Sequence, residues 1–296
     1  MSALSAATRE ALAAAGLAEA YVLDLVERAV AEDLDGGVDV TSVATVPADL
    51  RGIAAFVPRS AGVVAGSGVA MAVLDVVVPG VVHRIAGVDG VAAVPGTAVL
   101  EAEGPVRDLL TAERTALNLL CHLSGVATLT RLWVDAVAGT GARIRDTRKT
   151  TPGLRALEKH AVRCGGGTNH RMSLSDAALV KDNHVVAAGG VRQAFDAVRT
   201  VVPGLAVEVE CDTVAQVRDV LDAGADLVLL DNMGPDLLRA CVALCRARGV
   251  MTEASGGLSL ANAREVAETG VDFLAVGSLT HSAPVLDLGV DLRTDL

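Results

Sequence analysis

The stretch of sequence that decides the fold is residues 206–231, AVEVECDTVAQVRDVLDAGADLVLLD. It opens with a short apolar run that ends in Glu210. A helix-length segment, 213–223, follows and stops at a glycine, the residue that most often ends a helix. A second apolar run then ends in Asp231. This order predicts a strand, a crossover helix and a second, parallel strand.

The same alternation extends over the chain from Arg143 onward. The other apolar runs of strand length are 143–146, 178–181, 250–255 and 273–277. The polar residues expected at strand ends recur at intervals of 21, 22 and 24 residues and are Glu210, Asp231, Glu253 and Gly277. Repeated units of this length form an open doubly wound sheet or a barrel. We favour a barrel, because chemically capable residues cluster at strand ends, where barrels place their active sites.

The first part of the chain has a different pattern. Short strands near 53–59, 81–85 and 97–103 are separated by Pro and Gly, which mark turns. One helix near 68–78 interrupts them, and a long helix from 107 to about 138 follows, with a weak point at Ser124–Gly125. The pattern predicts a small α+β layer joined to the barrel by a long helix.

These patterns predict three segments. Residues 1–125 form an N-terminal α+β domain with its connecting helix, and residues 126–284 form the α/β barrel that carries the catalytic site. Residues 285–296 form a C-terminal tail that packs back on the N-terminal domain.

Composition excludes several functional classes. The 296 residues carry a net charge of -11 and only 2% aromatic residues, which argues against a nucleic-acid partner. No run reaches the roughly 18 apolar residues of a membrane span, so no membrane partner is expected. Five cysteines, an odd number without a CxxC pair, favour neither disulfides nor structural zinc. We expect a cytoplasmic protein.

Basic residues are concentrated in one window of this acidic chain. Only three of its 25 Lys and Arg residues are lysines, and these are Lys149, Lys159 and Lys181. Between residues 143 and 171, eight cationic side chains face two acids, a local excess suited to a small, highly charged anion. The alternative is a solvated helix face, which fits Lys159 with Arg155 and Arg163 better than it fits Arg148 and Lys149.

Two further patterns predict ligand-binding loops. Residues 165–171, GGGTNHR, form a flexible loop whose backbone N–H groups can approach an oxyanion, beside His170 and Arg171. Ser255, Gly256 and Gly257 end one late strand and Gly277 ends the next, as in the phosphate cradles of barrels.

Acids at strand ends predict a metal site. Glu210 and Asp231 each end an apolar strand, where a charge is costly unless it is paired or bound to a cation. Such oxygen ligands suit Mg²⁺ shared with substrate phosphates. The alternative is an internal salt bridge to Lys181. No GxxxxGK[ST] motif supports a nucleoside triphosphatase, and no GxSxG or HExxH motif supports a hydrolase. The site therefore favours an anionic acid reacting with a phosphorylated sugar.

At this point the sequence resembles a known family. The run DTRKTTPGLRALEKHAVRCGGGTNHRMSLSDAALVKDNHV, residues 146–185, resembles the signature of quinolinate phosphoribosyltransferases. AERTALNLLCHLSGVAT, VEVEC, LVLLDNM, EASGGL and VGSLTHSAP fit the same family in the same order, and GVDVTS fits its N-terminal domain. The resemblance implies an open α+β sandwich joined to an incomplete, seven-stranded TIM-like barrel, assembled as a homodimer or a higher oligomer.

The resemblance also assigns roles to residues of this chain. The dicarboxylate would be bound by Arg148, His170, Arg171 and Lys181, and Arg114 would be donated across the interface to the neighbouring site. The phosphoribosyl pyrophosphate pocket would be lined by Lys149, Glu210, Asp231, Ser255, Gly256, Gly257, Gly277 and His281. Among these, Lys149, Glu210 and Asp231 would be catalytic, with Mg²⁺ at Glu210 and Asp231.

The implied reaction converts quinolinate and phosphoribosyl pyrophosphate to nicotinate mononucleotide, pyrophosphate and CO₂, a step of NAD biosynthesis. Two rivals share the fold: the homologue encoded with molybdate-transport genes, and an enzyme that uses nicotinate without decarboxylation. A rival from another class is a non-catalytic anion sensor, which would not need Glu210 and Asp231 as metal ligands.

Overall fold

Two main β-sheets, one antiparallel and one parallel, organise the chain. The computed structural model describes residues 4–85 and 87–294, so residues 1–3, 86, 295 and 296 lie outside the description. Two units result: Met1–Leu129 with Ala156–Gly166 and Ser282–Leu296, and Thr130–Arg155 with Gly167–His281.

The described residues form twelve helices and twelve strands. The helices are α1 Ala6–Ala15, α2 Glu19–Leu34, α3 Val40–Thr45, α4 Ser67–Val77, α5 Val106–Ala136, α6 Arg155–Cys164, α7 Asp182–Ala188, α8 Val191–Val201, α9 Val214–Ala223, α10 Pro235–Arg246, α11 Ala263–Ala267 and α12 Ser278–His281. The strands are β1 Arg51–Pro58, β2 Gly62–Val63, β3 Val82–Ile85, β4 Ala92–Ala93, β5 Leu100–Pro105, β6 Arg143–Arg145, β7 Ala178–Val180, β8 Val207–Cys211, β9 Leu227–Asp231, β10 Met251–Ser255, β11 Phe273–Ala275 and β12 Leu288–Arg293.

The first unit is built on an antiparallel sheet with the order β12-β1-β5-β3. The last strand, β12, pairs with β1, so the C-terminal residues 288–293 return to this unit. Helix α4 contacts α1 and α2, and Ser67–Asp75 are all buried. Asp75 helps to fix the chain start, because its Oδ2 accepts a hydrogen bond from the Ser5 N–H at 2.8 Å.

Helix α5 is continuous across the predicted weak point at Ser124–Gly125, which is therefore a correction to the sequence reading. The glycine serves a close approach, because a Cβ at position 125 would lie 2.2 Å from the carbonyl oxygen of Pro284. Ser124 is buried and its Oγ lies within hydrogen-bond distance of both the N–H and the carbonyl oxygen of Ala65. Contacts with neighbouring segments explain why Ser124 and Gly125 occur inside this helix, and helix propensity alone does not include such contacts.

Helix α6 departs from the segment boundaries drawn on the sequence, since residues 156–166 belong to the first unit. Its polar side chains have partners there: Glu158 Oε1 lies 2.9 Å from His122 Nε2, and His160 Nε2 lies 2.6 Å from Asp89 Oδ2. Lys159 is fully buried, so a solvated face that includes this lysine is wrong.

The second unit is built on a parallel sheet with the order β6-β11-β10-β9-β8-β7. Beside the edge strand β6, Thr168 forms one isolated parallel bridge with Arg145. Six strands and this seventh segment make the incomplete α/β barrel expected from the sequence, and the described residues do not close it. Strands β8 to β11 are buried through their centres, which explains their continuous apolar character.

Residues within 206–231 fix where α9 begins and ends between β8 and β9. Thr213 and Gln216 form a capping box at its start, and Gly224 ends it in the left-handed conformation, with φ of +86°. The following helix begins with Pro235 in its first turn. These signals place the carboxyl ends of β8 and β9 at the same edge of the sheet.

Two expectations for the second unit need correction. Strand β10 ends at Ser255, so Glu253 is inside the strand and not at its end. The sequence also predicts a helix over residues 260–269, since Gly270 follows that segment. The structure shortens it to α11, because the Asn262 side chain accepts from the Ser259 N–H and donates to the Gly257 carbonyl in a turn before it.

Candidate active site

A cavity of about 560 Å³ opens at the carboxyl ends of the parallel strands, inside the second unit. Nine residues singled out in the sequence line it: Arg148, Lys149, His170, Arg171, Lys181, Glu210, Asp231, Ser255 and Gly256. Most lie at or just after the carboxyl ends of β6 to β10, and His170 and Arg171 lie in the loop after α6, so the parallel sheet brings them together.

Four predicted residues are not among the described residues that line this cavity. Gly257 lies in a neighbouring cavity of about 280 Å³, which also reaches Asn232 and Gly256. Gly277 lies beside Lys149 and His281, because a Cβ there would be 2.9 Å from Lys149 Cδ and 3.4 Å from His281 Nε2. Arg114 is exposed on α5, in the first unit.

The loop after β6 is held in place by the last helix of the unit. Thr280 Oγ1 donates a hydrogen bond to the carbonyl oxygen of Lys149 at 2.8 Å. The Lys149 N–H donates to Thr147 Oγ1 at 3.0 Å. The ammonium of Lys149 is thus carried on a fixed backbone, although the residue itself is exposed.

The cationic side of the cavity carries unsatisfied donors. Arg148 Nε and Arg171 Nε are both buried and have no hydrogen-bond partner. Arg171 Nη1 donates to the Ala177 carbonyl at 2.8 Å, which leaves the Nε edge of that guanidinium for a ligand. Burial and the charge of Arg148 lower the pKa of Arg171. A buried pair of like charges with unpaired N–H groups is a binding site for an anion.

The acidic side of the cavity lies on β8 and β9. Glu210 Oε2 accepts a hydrogen bond from Lys181 Nζ at 2.7 Å, so the internal salt bridge weighed from the sequence is present. Asp231 Oδ2 accepts from Asn232 Nδ2 at 2.6 Å, and burial followed by the charge of Glu210 raises the pKa of Asp231.

The donor set at this edge fits a hard cation. The charge of Glu210 disfavours ionised Asp231, and a bound cation would relieve that repulsion. Each carboxylate has about four lone-pair positions, so the bond to Lys181 leaves Glu210 with oxygen sites for a metal. Glu210 and Asp231 could therefore hold Mg²⁺, which prefers carboxylate oxygens together with water and substrate phosphate.

Beneath the cavity lies a buried layer that the sequence reading missed. Glu208 and Glu253 are 5% and 0% exposed, and each has one carboxylate oxygen, Oε1, without a hydrogen-bond partner. Burial raises the pKa of both carboxyls to about 7, in Glu253 with a further contribution from Glu208. The signal was available for Glu208, because VEVEC places it on the same strand face as Glu210.

Arg145 and His170 are the hydrogen-bond partners of these two acids. Arg145 Nη1 donates to Glu253 Oε2 at 2.7 Å, and its guanidinium lies 4.7 Å from the centre of the Phe273 ring. His170 Nε2 lies 2.8 Å from Glu208 Oε2. The layer is therefore a hydrogen-bonded network at the base of the cavity, which His170 and Glu253 also line.

Asp146 anchors the loop that carries His170. It is fully buried, and its two carboxylate oxygens accept from the His170 N–H and from Asn169 Nδ2, each at 2.7 Å. The sequence pattern placed Asp146 at the end of the strand-length run 143–146 but assigned it no role in the site. Its position directly after β6 was the available signal, because strand ends meet at the site.

The fold and the site together define a class of protein: a barrel-type α/β enzyme whose strand ends surround a pocket for small anions. The models of the quinolinate phosphoribosyl transferase N-terminal and C-terminal domains match residues 39–124 and 126–291. The chain belongs to the quinolinate phosphoribosyltransferase family.

Individual relatives agree with this assignment. The chain is 52% identical over 275 residues to the nicotinate-nucleotide pyrophosphorylase (carboxylating) of Mycobacterium leprae, covering 91% of this chain and 96% of that protein. Among solved structures, NadC from Streptococcus pyogenes is 37% identical with a TM-score of 0.89, covering 94% and 98% of the two chains. The nicotinate-nucleotide pyrophosphorylase from Francisella tularensis is 34% identical, with the same TM-score and coverage.

The comparisons cover both units. No helix within residues 4–85 and 87–294 has both the length and the apolar character needed to cross a membrane.

Proposed function

We propose that this chain transfers the phosphoribosyl group of phosphoribosyl pyrophosphate to quinolinate with decarboxylation. The products are nicotinate mononucleotide, pyrophosphate and CO₂, and the reaction belongs to NAD biosynthesis. Family membership supports this reaction. The observation in the structure that carries it is the pair of buried guanidinium Nε atoms, of Arg148 and Arg171, without partners at the cavity wall.

The cationic groups fit a dicarboxylate better than a monocarboxylate. A guanidinium binds a carboxylate through two parallel N–H···O bonds, so two unsatisfied guanidinium groups match two carboxylates. Lys181 adds a third cation on the same cavity. A nicotinate substrate would satisfy one of these groups and leave the other buried and unpaired, which is costly.

We assign the phosphorylated sugar to the side of the cavity formed by Lys149, Ser255 and Gly256. Gly257, Gly277 and His281 extend the same edge in this proposal, since Gly277 contacts Lys149 and Gly257 lines the adjoining cavity. Glycines there keep the backbone accessible to phosphate oxygens.

The chain's own residues then account for the chemistry. Arg148, Arg171 and Lys181 hold the dicarboxylate so that its ring nitrogen points at the anomeric carbon of the ribose. The new N–C bond forms as the bond from that carbon to pyrophosphate breaks, and the electron pair leaves with pyrophosphate. Lys149 offers its ammonium to the departing negative charge. A Mg²⁺ ion held by Glu210 and Asp231 would neutralise charge on the pyrophosphate.

Decarboxylation follows from the same arrangement. The ring nitrogen is now cationic, so the bond to the adjacent carboxylate can break with its electron pair passing to the ring. CO₂ leaves and the ring carbon takes a proton. The remaining carboxylate keeps its contact with the arginines, so the product stays oriented until release.

Assembly and location are part of the proposal. Arg114 acts in the site of a second copy of this chain, in a homodimer or a higher homo-oligomer, supported by the match of AERTALNLL to the family pattern. A cytoplasmic location is supported by five cysteines, all present as free thiols in the described residues.

The deciding experiment is an assay with quinolinate, phosphoribosyl pyrophosphate and Mg²⁺ that follows nicotinate mononucleotide and CO₂ together. We expect both products in equal amounts, with turnover abolished by EDTA and restored by excess Mg²⁺. Turnover of nicotinate without CO₂ release would replace this proposal with the non-decarboxylating activity. Binding of either acid without any turnover would favour the sensor.

A further inference from the structure

The buried layer beneath the cavity resembles a metal site at first inspection. His170, Glu208 and Glu253 offer one nitrogen and two carboxylate oxygens, all within 4.8 Å of one another. All three residues are at most 8% exposed. Their hydrogen bonds, however, assign the cluster a different role.

The backbone fixes the protonation of His170. The Arg171 N–H donates a hydrogen bond to His170 Nδ1 at 2.7 Å, so Nδ1 must carry a lone pair and no proton. In a neutral imidazole the proton then resides on Nε2. Nε2 faces Glu208 Oε2 at 2.8 Å and must donate to it. A protonated Nε2 cannot bind a metal, which excludes His170 as a ligand in this arrangement.

Both ring nitrogens of His170 are therefore engaged by the protein. The imidazole links the Glu208 carboxylate on one side to the backbone of Arg171 on the other. Arg171 lines the ligand cavity, and its buried Nε has no hydrogen-bond partner. The chain of contacts thus runs from a buried acid, through the imidazole, to the backbone of a substrate-binding arginine.

Of the two buried acids, Glu208 is the one that accepts a hydrogen bond from the His170 imidazole. Glu253 Oε1 lies 3.7 Å from His170 Nε2, beyond hydrogen-bond distance, and its other oxygen is bonded to Arg145. Glu208 is held on β8, between two fully buried valines, Val207 and Val209. The acceptor for His170 is thereby fixed in the rigid part of the sheet.

We infer that Glu208 is a positioning residue for quinolinate binding: it locks the His170 ring as the Nε2–H tautomer, and His170 in turn fixes the Arg171 backbone and guanidinium at the cavity. In this account His170, which also lines the cavity, acts through Arg171. The inference rests on the proposed function, since it assigns the carboxylate end of quinolinate to Arg171.

The first test compares two substitutions of Glu208. Glu208→Leu removes the acceptor, and we expect the KM for quinolinate to rise by about tenfold or more, because a small displacement of a positioning group has large kinetic effects. The KM for phosphoribosyl pyrophosphate should stay within about twofold. Glu208→Gln keeps an oxygen that can accept the Nε2 proton, so its quinolinate KM should stay within about fivefold of wild type.

The matched control is Glu268→Leu, the same change at an exposed acid of the second unit. It should leave both KM values unchanged. A Glu208→Leu enzyme with a wild-type quinolinate KM would overturn the inference. Equal increases in both KM values, without rescue by Gln, would also overturn it, since a general structural defect behaves in that way.

A second measurement reads the tautomer directly in the wild-type protein. Nitrogen NMR of wild-type protein labelled at histidine, with the His170 signal assigned from His170→Asn, should show one protonated and one bare ring nitrogen, with the proton on Nε2. A proton on Nδ1, or on both nitrogens, would overturn the inference.

The inference and the proposed function fail separately. If wild-type protein does not turn over quinolinate, the proposed function fails, whatever the NMR result. If it does turn over quinolinate and His170 has another tautomer, only the role of Glu208 fails.

Discussion

Two layers of polar and charged residues lie one above the other on the same strands. The upper layer, at the cavity, contains Glu210 and Ser255, and the lower layer contains Glu208 and Glu253, two residues earlier on β8 and β10. In the upper layer Lys181, the partner of Glu210, has a side chain that is 49% exposed. In the lower layer both acids are at most 5% exposed.

The difference separates two uses of the same chemistry. In the upper layer a bound ligand can pair with the acids and cations, so donors without a protein partner, such as Arg148 Nε, are tolerated there. The lower acids are at most 5% exposed, and the protein supplies their partners, Arg145 for Glu253 and His170 for Glu208. We expect changes in the upper layer to affect catalysis and changes in the lower layer to affect stability or geometry.

The largest effect is expected from Arg145→Met, which removes the partner of a fully buried carboxyl and the contact with Phe273. The free energy of unfolding at pH 7 should fall by about 3 kcal/mol. The matched control is Arg143→Met, because Arg143 lies over the same ring at 4.4 Å but is exposed, and it should cost less than about 1 kcal/mol. Urea unfolding measures both, and equal losses would show that the buried ion pair contributes nothing.

Asp231→Asn tests the upper layer, where we expect a loss of activity without a loss of stability. We expect kcat/KM to fall by about 100-fold or more, because a ligand of the proposed Mg²⁺ is lost. Stability should not fall, since burial and Glu210 raise the pKa of Asp231 and ionised Asp231 therefore disfavours the folded state at pH 7. A variant that is inactive only because it is less stable would contradict the division into layers.

Arg148→Ala should separate the two substrates. The KM for quinolinate is expected to rise by roughly 30-fold or more, the loss of a charged hydrogen bond of about 2 kcal/mol, with a much smaller change for the sugar donor. Steady-state kinetics with each substrate varied in turn gives the comparison. Equal effects on both would remove Arg148 from the dicarboxylate site.

Glu253→Gln should change the pH dependence of stability. Burial raises the pKa of Glu253 in the folded protein to about 7, so the folded state binds more protons than the unfolded state above pH 4.5. The stabilisation is therefore complete below about pH 4.5 and is lost as the pH rises through about 7. Relative to the variant, wild type should lose roughly 2 kcal/mol between pH 5 and pH 8.

Urea unfolding at several pH values measures that difference. Asp236→Asn is the control, since Asp236 is fully exposed, and its curve should run parallel to that of wild type. Parallel curves for Glu253→Gln and wild type would contradict the assigned pKa.

Sequence patterns predicted the upper layer better than the lower one. Glu210 and Asp231 were identified because each ends an apolar run, and the ends of parallel strands meet at one edge. Glu208 was overlooked inside its run, although alternation along VEVEC places it on the face of Glu210. Glu253 was assigned to a strand end, because the extent of β10 depends on its pairing with β9 as far as Ser255 and Asp231.

The lysine cluster shows the same division. Lys149 and Lys181 line the cavity, as their position after predicted strands indicated. Lys159 is fully buried on α6, although its spacing from Arg155 and Arg163 fits a solvated face. Spacing along a helix specifies which residues share a face and leaves open what that face meets.

The sequence by itself determined the alternation of strands and helices, the two-part architecture, the family and most of the residues at the cavity. Each of these depends on local periodicity, on turn and cap residues, or on motifs contiguous along the chain. Only the tertiary structure decided which charges are paired. Arg145 meets Glu253 and His170 meets Glu208 across separations of 108 and 38 residues. Such pairs form because the sheet brings distant segments into a buried layer, where a charge is costly unless it has a partner.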